Sequence, residues 1–187
     1  MYTTYAVVLN TNKVGEADEI VSLYTKDFGK LVAKAKSSKK VTTKQGNFFH
    51  AVGIIQCSLV LGRGGYIISG VSEKKICSKT NSDFRAMGHL ISFFRTVDSL
   101  VFENQKDIKI WKLLNVALST TNKILSQKSL NFEFWTAQRG WIAELLNILG
   151  LSIVELNLDS IDSKAQLDYQ LKKVFENRFD TSLEFFN

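Results

Sequence analysis

Six lysines lie within fifteen residues: Lys30, Lys34, Lys36, Lys39, Lys40 and Lys44. Arg63 follows in the turn Gly62-Arg63-Gly64-Gly65. The chemistry such a group can do is charge neutralisation. Ammonium groups hold phosphates and release the counterions condensed on a polyanion, so binding depends steeply on salt. Lys34 and Lys36, two residues apart, share one face of a strand. Tyr24, Phe28 and Tyr66 are the candidate stacking surfaces. If exposed they stack on bases; if buried they are core. Charge is uneven along the chain. Residues 1–80 carry 12 Lys+Arg against 5 Asp+Glu, a net of +7, and residues 81–187 carry 12 against 13, a net of −1. A basic half beside a near-neutral one points to an acidic partner. A solvated lysine face without a partner is the alternative.

Other chemistries find little material. A protein-held metal needs clustered ligands, and His50, His89, Cys57 and Cys77 have no such spacing. No G-x-x-x-x-G-K-[ST] stretch is present. Gly62-Arg63-Gly64-Gly65 leads into a strand-like run, so it lacks the helix N-terminus that holds phosphate and reads as a hairpin turn. Asp27-Phe28-Gly29 spells a kinase triplet without the other kinase elements, and it too reads as a turn. No Ser/His/Asp set stands out. The expectation is a protein that is not an enzyme and has no cofactor.

The basic stretch needs strands to carry it. Ile20–Tyr24 and Leu31–Ala35 alternate in character, which places one face in a core and the other toward solvent. The strands read as Thr4–Asn10, Glu19–Thr25, Lys30–Lys36, Phe48–Leu61 and Tyr66–Lys75, with Ser37–Asn47 a long polar loop. In the second strand Ile20, Ser22 and Tyr24 share one face, and Val21 and Leu23 the other. Gly29 supplies the hairpin's positive φ. Gly53 and Gly70 mark bulges or bends. Five short strands in about 75 residues predict a small barrel or sandwich.

The period then changes from 2 to 3.6. Asn81 or Ser82 is the expected N-cap of a helix from Phe84, with apolar positions Met87, Leu90, Ile91, Phe94, Val97, Leu100 and Val101. A second helix begins at Asp107. A third runs from Leu130 to Leu149, with Gly150 as C′ residue. A last short helix covers about Lys164 to Phe179. The predicted organisation is a β domain over 1–80 and a helical domain over 81–187, with the boundary near Ser78–Ser82.

No apolar run is long enough to span a membrane. MYTTYAVVLNTNK lacks a basic start before an apolar run, so no secretory leader is expected. The two cysteines fit reduced, buried thiols in a cytosolic protein. The absence of proline carries no functional reading.

An ordered set of residues resembles the opening of the bacterial RecO family of recombination mediators. The set is Val7-Val8-Leu9, Gly15-Glu16-Ala17-Asp18, Leu23-Tyr24-Thr25, Gly29-Lys30-Leu31 and Ala33-Lys34-Ala35-Lys36. Phe48–Leu61 with Gly62-Arg63-Gly64 resembles that family's fourth strand and turn. The resemblance covers most of residues 5–75. It implies an oligonucleotide-binding (OB) barrel joined to helices, and a nucleoid-associated protein of the bacterial cytoplasm. It further implies binding of single- and double-stranded DNA, strand annealing, and partnership with RecR and single-strand-binding protein in loading RecA. The chain departs from the family in two ways. It has no cysteine zinc motif after Cys77, and it is short around Leu151–Ala165.

Two further readings stand beside this one. The helical domain could act as an adaptor for an acidic, hydrophobic-ended peptide such as the single-strand-binding protein tail, with Arg95, Lys128 and Arg139 pairing its carboxylates. An enzyme acting on nucleic acid would need a metal or an acid/base pair that the sequence does not clearly offer.

Overall fold

Leu31, Ala33 and Ala35 are buried, while the residues between them, Val32 and Lys34, reach the surface. That alternation is the rule of the N-terminal half in the computed structural model, which describes residues 1–16, 18–36, 46–76, 83–126, 131–151, 166 and 169. Five strands, β1 (Tyr2–Val14), β2 (Asp18–Thr25), β3 (Gly29–Ala35), β4 (Gly53–Gly62) and β5 (Gly65–Ile76), close into a barrel in the order β1-β2-β3-β5-β4. This is the expected OB barrel followed by helices. Four seams are antiparallel; the closing seam, β3 against β5, is parallel and joins only Ala33–Ala35 to Tyr66–Ile68. The rest of the β3 edge is met by the segment after the first long helix. Lys30 bridges to Glu103, and the Asn104 N–H donates to the Lys30 carbonyl at 2.8 Å. A sheet edge left bare would be a site for unwanted pairing.

The barrel interior holds Val21, Leu23, Leu31, Ile55, Cys57 and Leu59. The register slips between Ser58 and Leu59 against Gly70 and Ile68, leaving Ser69 unpaired beside Gly70. Such a bulge sharpens the local twist and helps a small sheet curl shut.

Phe48–Leu61 is not one strand. Gly46–His50 forms a short helix, α1, and β4 starts only at Gly53. A short apolar run does not distinguish helix from strand by periodicity. Here Phe49, 3% exposed, joins the barrel core from a helical turn. The His50 Nε2 lies 3.2 Å from Oε1 of the buried Glu19 and ties α1 back to β2.

Among the described residues three long helices follow: α2 (Phe84–Leu100), α3 (Ile108–Ser126) and α4 (Asn131–Ile148). The N-cap of α2 is Asp83, not Asn81 or Ser82, which lie outside the described residues. The Asp83 Oδ1 accepts from the N–H groups of Arg85 and Ala86, both at 3.0 Å. A carboxylate suits this position because it satisfies orphan donors and faces the positive end of the helix dipole. Asp107 caps α3 in the same way, accepting from the Lys109 N–H at 2.7 Å. Gly150, at φ +68°, ends α4: its N–H donates to Asn147 O and that of Leu151 to Leu146 O, the paired bonds of a Schellman motif. The predicted helix over 164–179 lies outside the described residues except Gln166 and Tyr169, which are helical.

One core joins the two halves. Phe93, Leu114 and Ile142, from α2, α3 and α4, belong to the same buried cluster as Val7, Leu9 and Tyr24 from the outer side of the barrel. Tyr24, Val7 and Ile54 lie in register across β2, β1 and β4. The long helices among the described residues therefore pack on the β1 side of the barrel, and the first of them also reaches Lys30 on β3.

Candidate nucleic-acid interface

The β2–β3 hairpin carries three described lysines of the predicted cluster. Its alternation sends Lys30, Val32 and Lys34 outward, but the helices treat the two ends of that row differently. Lys30 is 13% exposed, and its ammonium lies 3.1 Å from the Asp98 Oδ1 on α2 and also donates to the Asp98 carbonyl. The same Oδ1 accepts from Ser22 Oγ at 2.5 Å. Lys30 is thus a clamp between barrel and helix, and its charge is spent on Asp98.

Lys34 is 43% exposed on its side chain and lies 2.9 Å from Asp18 Oδ2. An exposed ion pair of this kind is weak, so the ammonium is free to exchange partners. Lys36 is exposed in the turn that ends β3, and Arg63 is exposed in the β4–β5 turn. Lys39, Lys40 and Lys44 lie outside the described residues. The loop that closes β4 to β5 and the β2–β3 face are the surfaces that OB barrels offer to oligonucleotides. Lys34, Lys36 and Arg63 are the described cations on that side.

The aromatics divide. Tyr24 is fully buried and is not a stacking platform. Its hydroxyl donates to the Asp107 carbonyl at 2.8 Å and accepts from the Asp107 N–H at 3.0 Å. Burial pushes its pKa above 10.0, the Asp107 backbone bond opposes that rise, and the Asp107 charge adds to it. Tyr66 packs against the barrel core. Phe28 is half-buried and meets Tyr2 edge-on, ring centroids 5.6 Å apart.

Cys57 is a buried free thiol whose pKa is pushed up to about 11 by burial. It is a packing group, since the thiolate is the reactive form. Cys77 lies outside the described residues. Among the described residues, no group of three or more His, Cys, Asp or Glu side chains is placed to hold a metal ion. No helix among them is long and apolar enough to cross a membrane. Of the residues proposed to pair a peptide's carboxylates, Arg95 is exposed on α2, Arg139 is half-buried on α4, and Lys128 lies outside the described residues.

Sequence reasoning missed Asp98 and Asp107. Each stands more than 65 residues from its barrel partner, and nothing in a local pattern pairs them. A partial signal was present: Tyr24 and Lys30 sit directly opposite each other in the hairpin, so anything that covers one covers the other.

Residues 1–73 match the family described as Recombination protein O N terminal. Relatives named DNA repair protein RecO show the same likeness. The protein of Caldanaerobacter subterraneus subsp. tengcongensis is 24% identical over 166 residues, 89% of this chain and 65% of its own length. That of Geobacter sulfurreducens is 28% identical over 155 residues, 83% of this chain and 60% of its own length. That of Cutibacterium acnes is 36% identical over 70 residues, 37% of this chain and 28% of its own length. Each match thus spans less than two thirds of the relative. The match to the family falls on the barrel and its basic hairpin, and over that stretch the chain is similar to the RecO family.

Proposed function

We propose that this chain is a non-enzymatic, DNA-binding mediator of recombinational DNA repair. The observation that carries the reading is the closed barrel with Lys34, Lys36 and Arg63 at its surface, within a stretch that matches the N-terminal model of a recombination protein family. The barrel holds DNA by its phosphates. Little base readout follows, because Tyr24 and Tyr66 are taken up by packing. Single and double strands present the same phosphates, so both bind, and two complementary strands held this way can meet and anneal. Loading of RecA with RecR and single-strand-binding protein, in the cytoplasm and at the nucleoid, completes the reading.

The test is fluorescence anisotropy of a single-stranded oligonucleotide across a salt series. Wild type is compared with a variant carrying Lys34, Lys36, Lys39 and Lys40 all changed to Glu. The expected result is a steep loss of affinity with salt in wild type, and a flattened slope in the folded variant. Equal affinity of the two would overturn the site.

A second reading gives the helical half an adaptor role toward the tail of single-strand-binding protein. It is favoured by a recess of about 200 Å³ lined by Leu100, Val101, Phe102, Ile110, Leu149 and Leu151 among others. Lys106 and Lys109 are exposed beside it in sequence. An apolar recess near cations suits a peptide with a hydrophobic end and carboxylates. A tail-peptide titration without saturation would remove this reading and leave the first untouched.

A further inference from the structure

A small barrel with a filled interior should be polar on its outward side. One outer region is richer in polar side chains: Thr3, Gln56, Ser58 and Ser72, together with Gly70 and Val71, line a shallow trough over β1, β4 and β5. The opposite end of the same strands is not. Ile20 on β2 stands opposite Lys34 on β3, Lys34 opposite Ile67 on β5, and Ile67 opposite Val60 on β4. All four are outward positions, because Val21, Leu31, Ala33, Ile68 and Leu59 beside them fill the barrel. Ile20 is 36% exposed, Val60 37% and the adjoining Leu61 64%. Val32 and Ile67 are half-buried. Ile67 lies over Gly62, where an added Cβ would come within 3.0 Å of its Cδ1. A continuous aliphatic row thus crosses four strands with one lysine in it.

We propose that this row is a protein-docking surface, and that its occupant is a separate protein presenting a flat apolar face rimmed by carboxylates. Contiguous exposed apolar surface of this kind marks interaction sites. Charge selects the occupant. Lys34 sits within the row, and Lys36 and Arg63 are exposed at ends of the β3 and β4 strands that form it. A second copy would set these cations against their own images. A nucleic acid held by its phosphates would engage the cations and leave the aliphatic groups uncovered, since base stacking needs rings. This surface lies outside the helical recess, and it shares Lys34, Lys36 and Arg63 with the DNA reading, so the two ligands would compete for those cations while only the protein covers the aliphatic groups.

The test is a titration of the ¹⁵N-labelled full chain, read by amide chemical shifts. The probes are a synthetic strand-forming peptide alternating Leu and Asp, its Leu/Lys counterpart, and oligothymidylate. The expected result is saturable shifts at Ile20, Val32, Val60 and Ile67 with the Leu/Asp peptide and none with the Leu/Lys peptide. Val60→Asp should weaken binding at least tenfold, and Leu61→Asp, at the most exposed position, gives a second variant should the first not fold. Lys34→Glu should reverse the preference between the two peptides. Equal response to both peptides, or shifts away from this row, would overturn the proposal. So would stronger perturbation of the row by oligothymidylate, or its concentration-dependent broadening in the free protein.

Discussion

Lys30 and Lys34 are on the same strand, face the same way, and differ in almost everything else. Lys30 lies under α2 with its charge held by Asp98 at 13% exposure; Lys34 stands open with a loose partner in Asp18. The difference is made by where the helices stop. At the Lys30 end, Ser22, Tyr24 and Lys30 all bond to the helical half, through Asp98 and Asp107. At the Lys34 end the cross-strand neighbours are Ile20 and Ile67, and neither belongs to the core that α2, α3 and α4 share with the barrel among the described residues. The same hairpin therefore serves as a joint at one end and as a surface at the other. A count of lysines does not measure binding capacity; the number left unclamped does.

The sharpest way to break the contrast is to change backbone at each end. Gly29 has φ +75°, and a Cβ there would lie 2.1 Å from the Gln105 carbonyl oxygen and 2.8 Å from the Lys106 nitrogen. Those atoms are backbone and cannot swing away. Gly65, in the open β4–β5 turn, has φ +105° with nothing within 4 Å. Gly29→Ala should cost roughly 4 kcal/mol, a strained φ together with overpacking. Gly65→Ala should cost about 1–2 kcal/mol, the strained φ alone. Urea unfolding checks both, and equal losses would mean that the segment at 103–106 does not lean on the barrel.

Charge gives the next comparison. Asp98→Ala leaves the Lys30 ammonium and Ser22 without their partner in a largely covered site. A loss of about 2–3 kcal/mol is expected, below the range for a wholly buried pair because both groups keep some exposure. The fall should appear in stability and not in the salt dependence of DNA binding, measured on the folded fraction. A changed salt slope would move Lys30 back among the DNA contacts.

The barrel was legible because its signals are local. Val21 and Leu23 alternate with Ile20 and Ser22, Gly29 marks the hairpin, and Gly70 marks the bulge; each needs only neighbours in sequence. Phe48 and Phe49 were read as strand because a short apolar run fits either period, and their place in a helical turn depends on the barrel mouth they close. The fates of Tyr24 and Lys30 were illegible for a stronger reason. Both sit at outward positions, where alternation predicts solvent, and only a helix from distant sequence reverses that. The open aliphatic row was visible in principle as Ile20 beside Val21, but an alternating pattern does not say whether an outward isoleucine is covered. Asp83 was missed as N-cap because Asn81 and Ser82 are equally good capping residues.

Tyr24 offers a smaller effect at the closed end. Tyr24→Phe removes one hydroxyl that serves both the N–H and the carbonyl of Asp107, and should cost about 1–2 kcal/mol. Because burial raises the Tyr24 pKa above 10.0, the folded state favours the neutral phenol. The stability this group provides is complete below pH 10 and is lost as pH rises through its folded value. The gap between wild type and Tyr24→Phe should therefore narrow above pH 10, read from urea midpoints. A gap that widened would mean that the phenolate, not the phenol, suits the seam.

The smallest effect belongs to the open end and decides most about function. Asp18→Asn removes the carboxylate 2.9 Å from Lys34. Exposed pairs are worth about 0–1 kcal/mol, so stability should hold within about 0.5 kcal/mol. DNA affinity is a separate matter. If Lys34 must leave Asp18 to reach a phosphate, freeing it should raise affinity a few-fold at low salt. The salt slope should steepen by up to about 0.9, the value of one added phosphate contact on duplex DNA. Lys34→Met should move both quantities the other way. Should Asp18→Asn leave affinity and slope unchanged, Lys34 is off the DNA path. The exposed end of the hairpin would then belong wholly to the aliphatic row, and Lys36, Arg63 and the lysines at 39, 40 and 44 would carry the DNA alone.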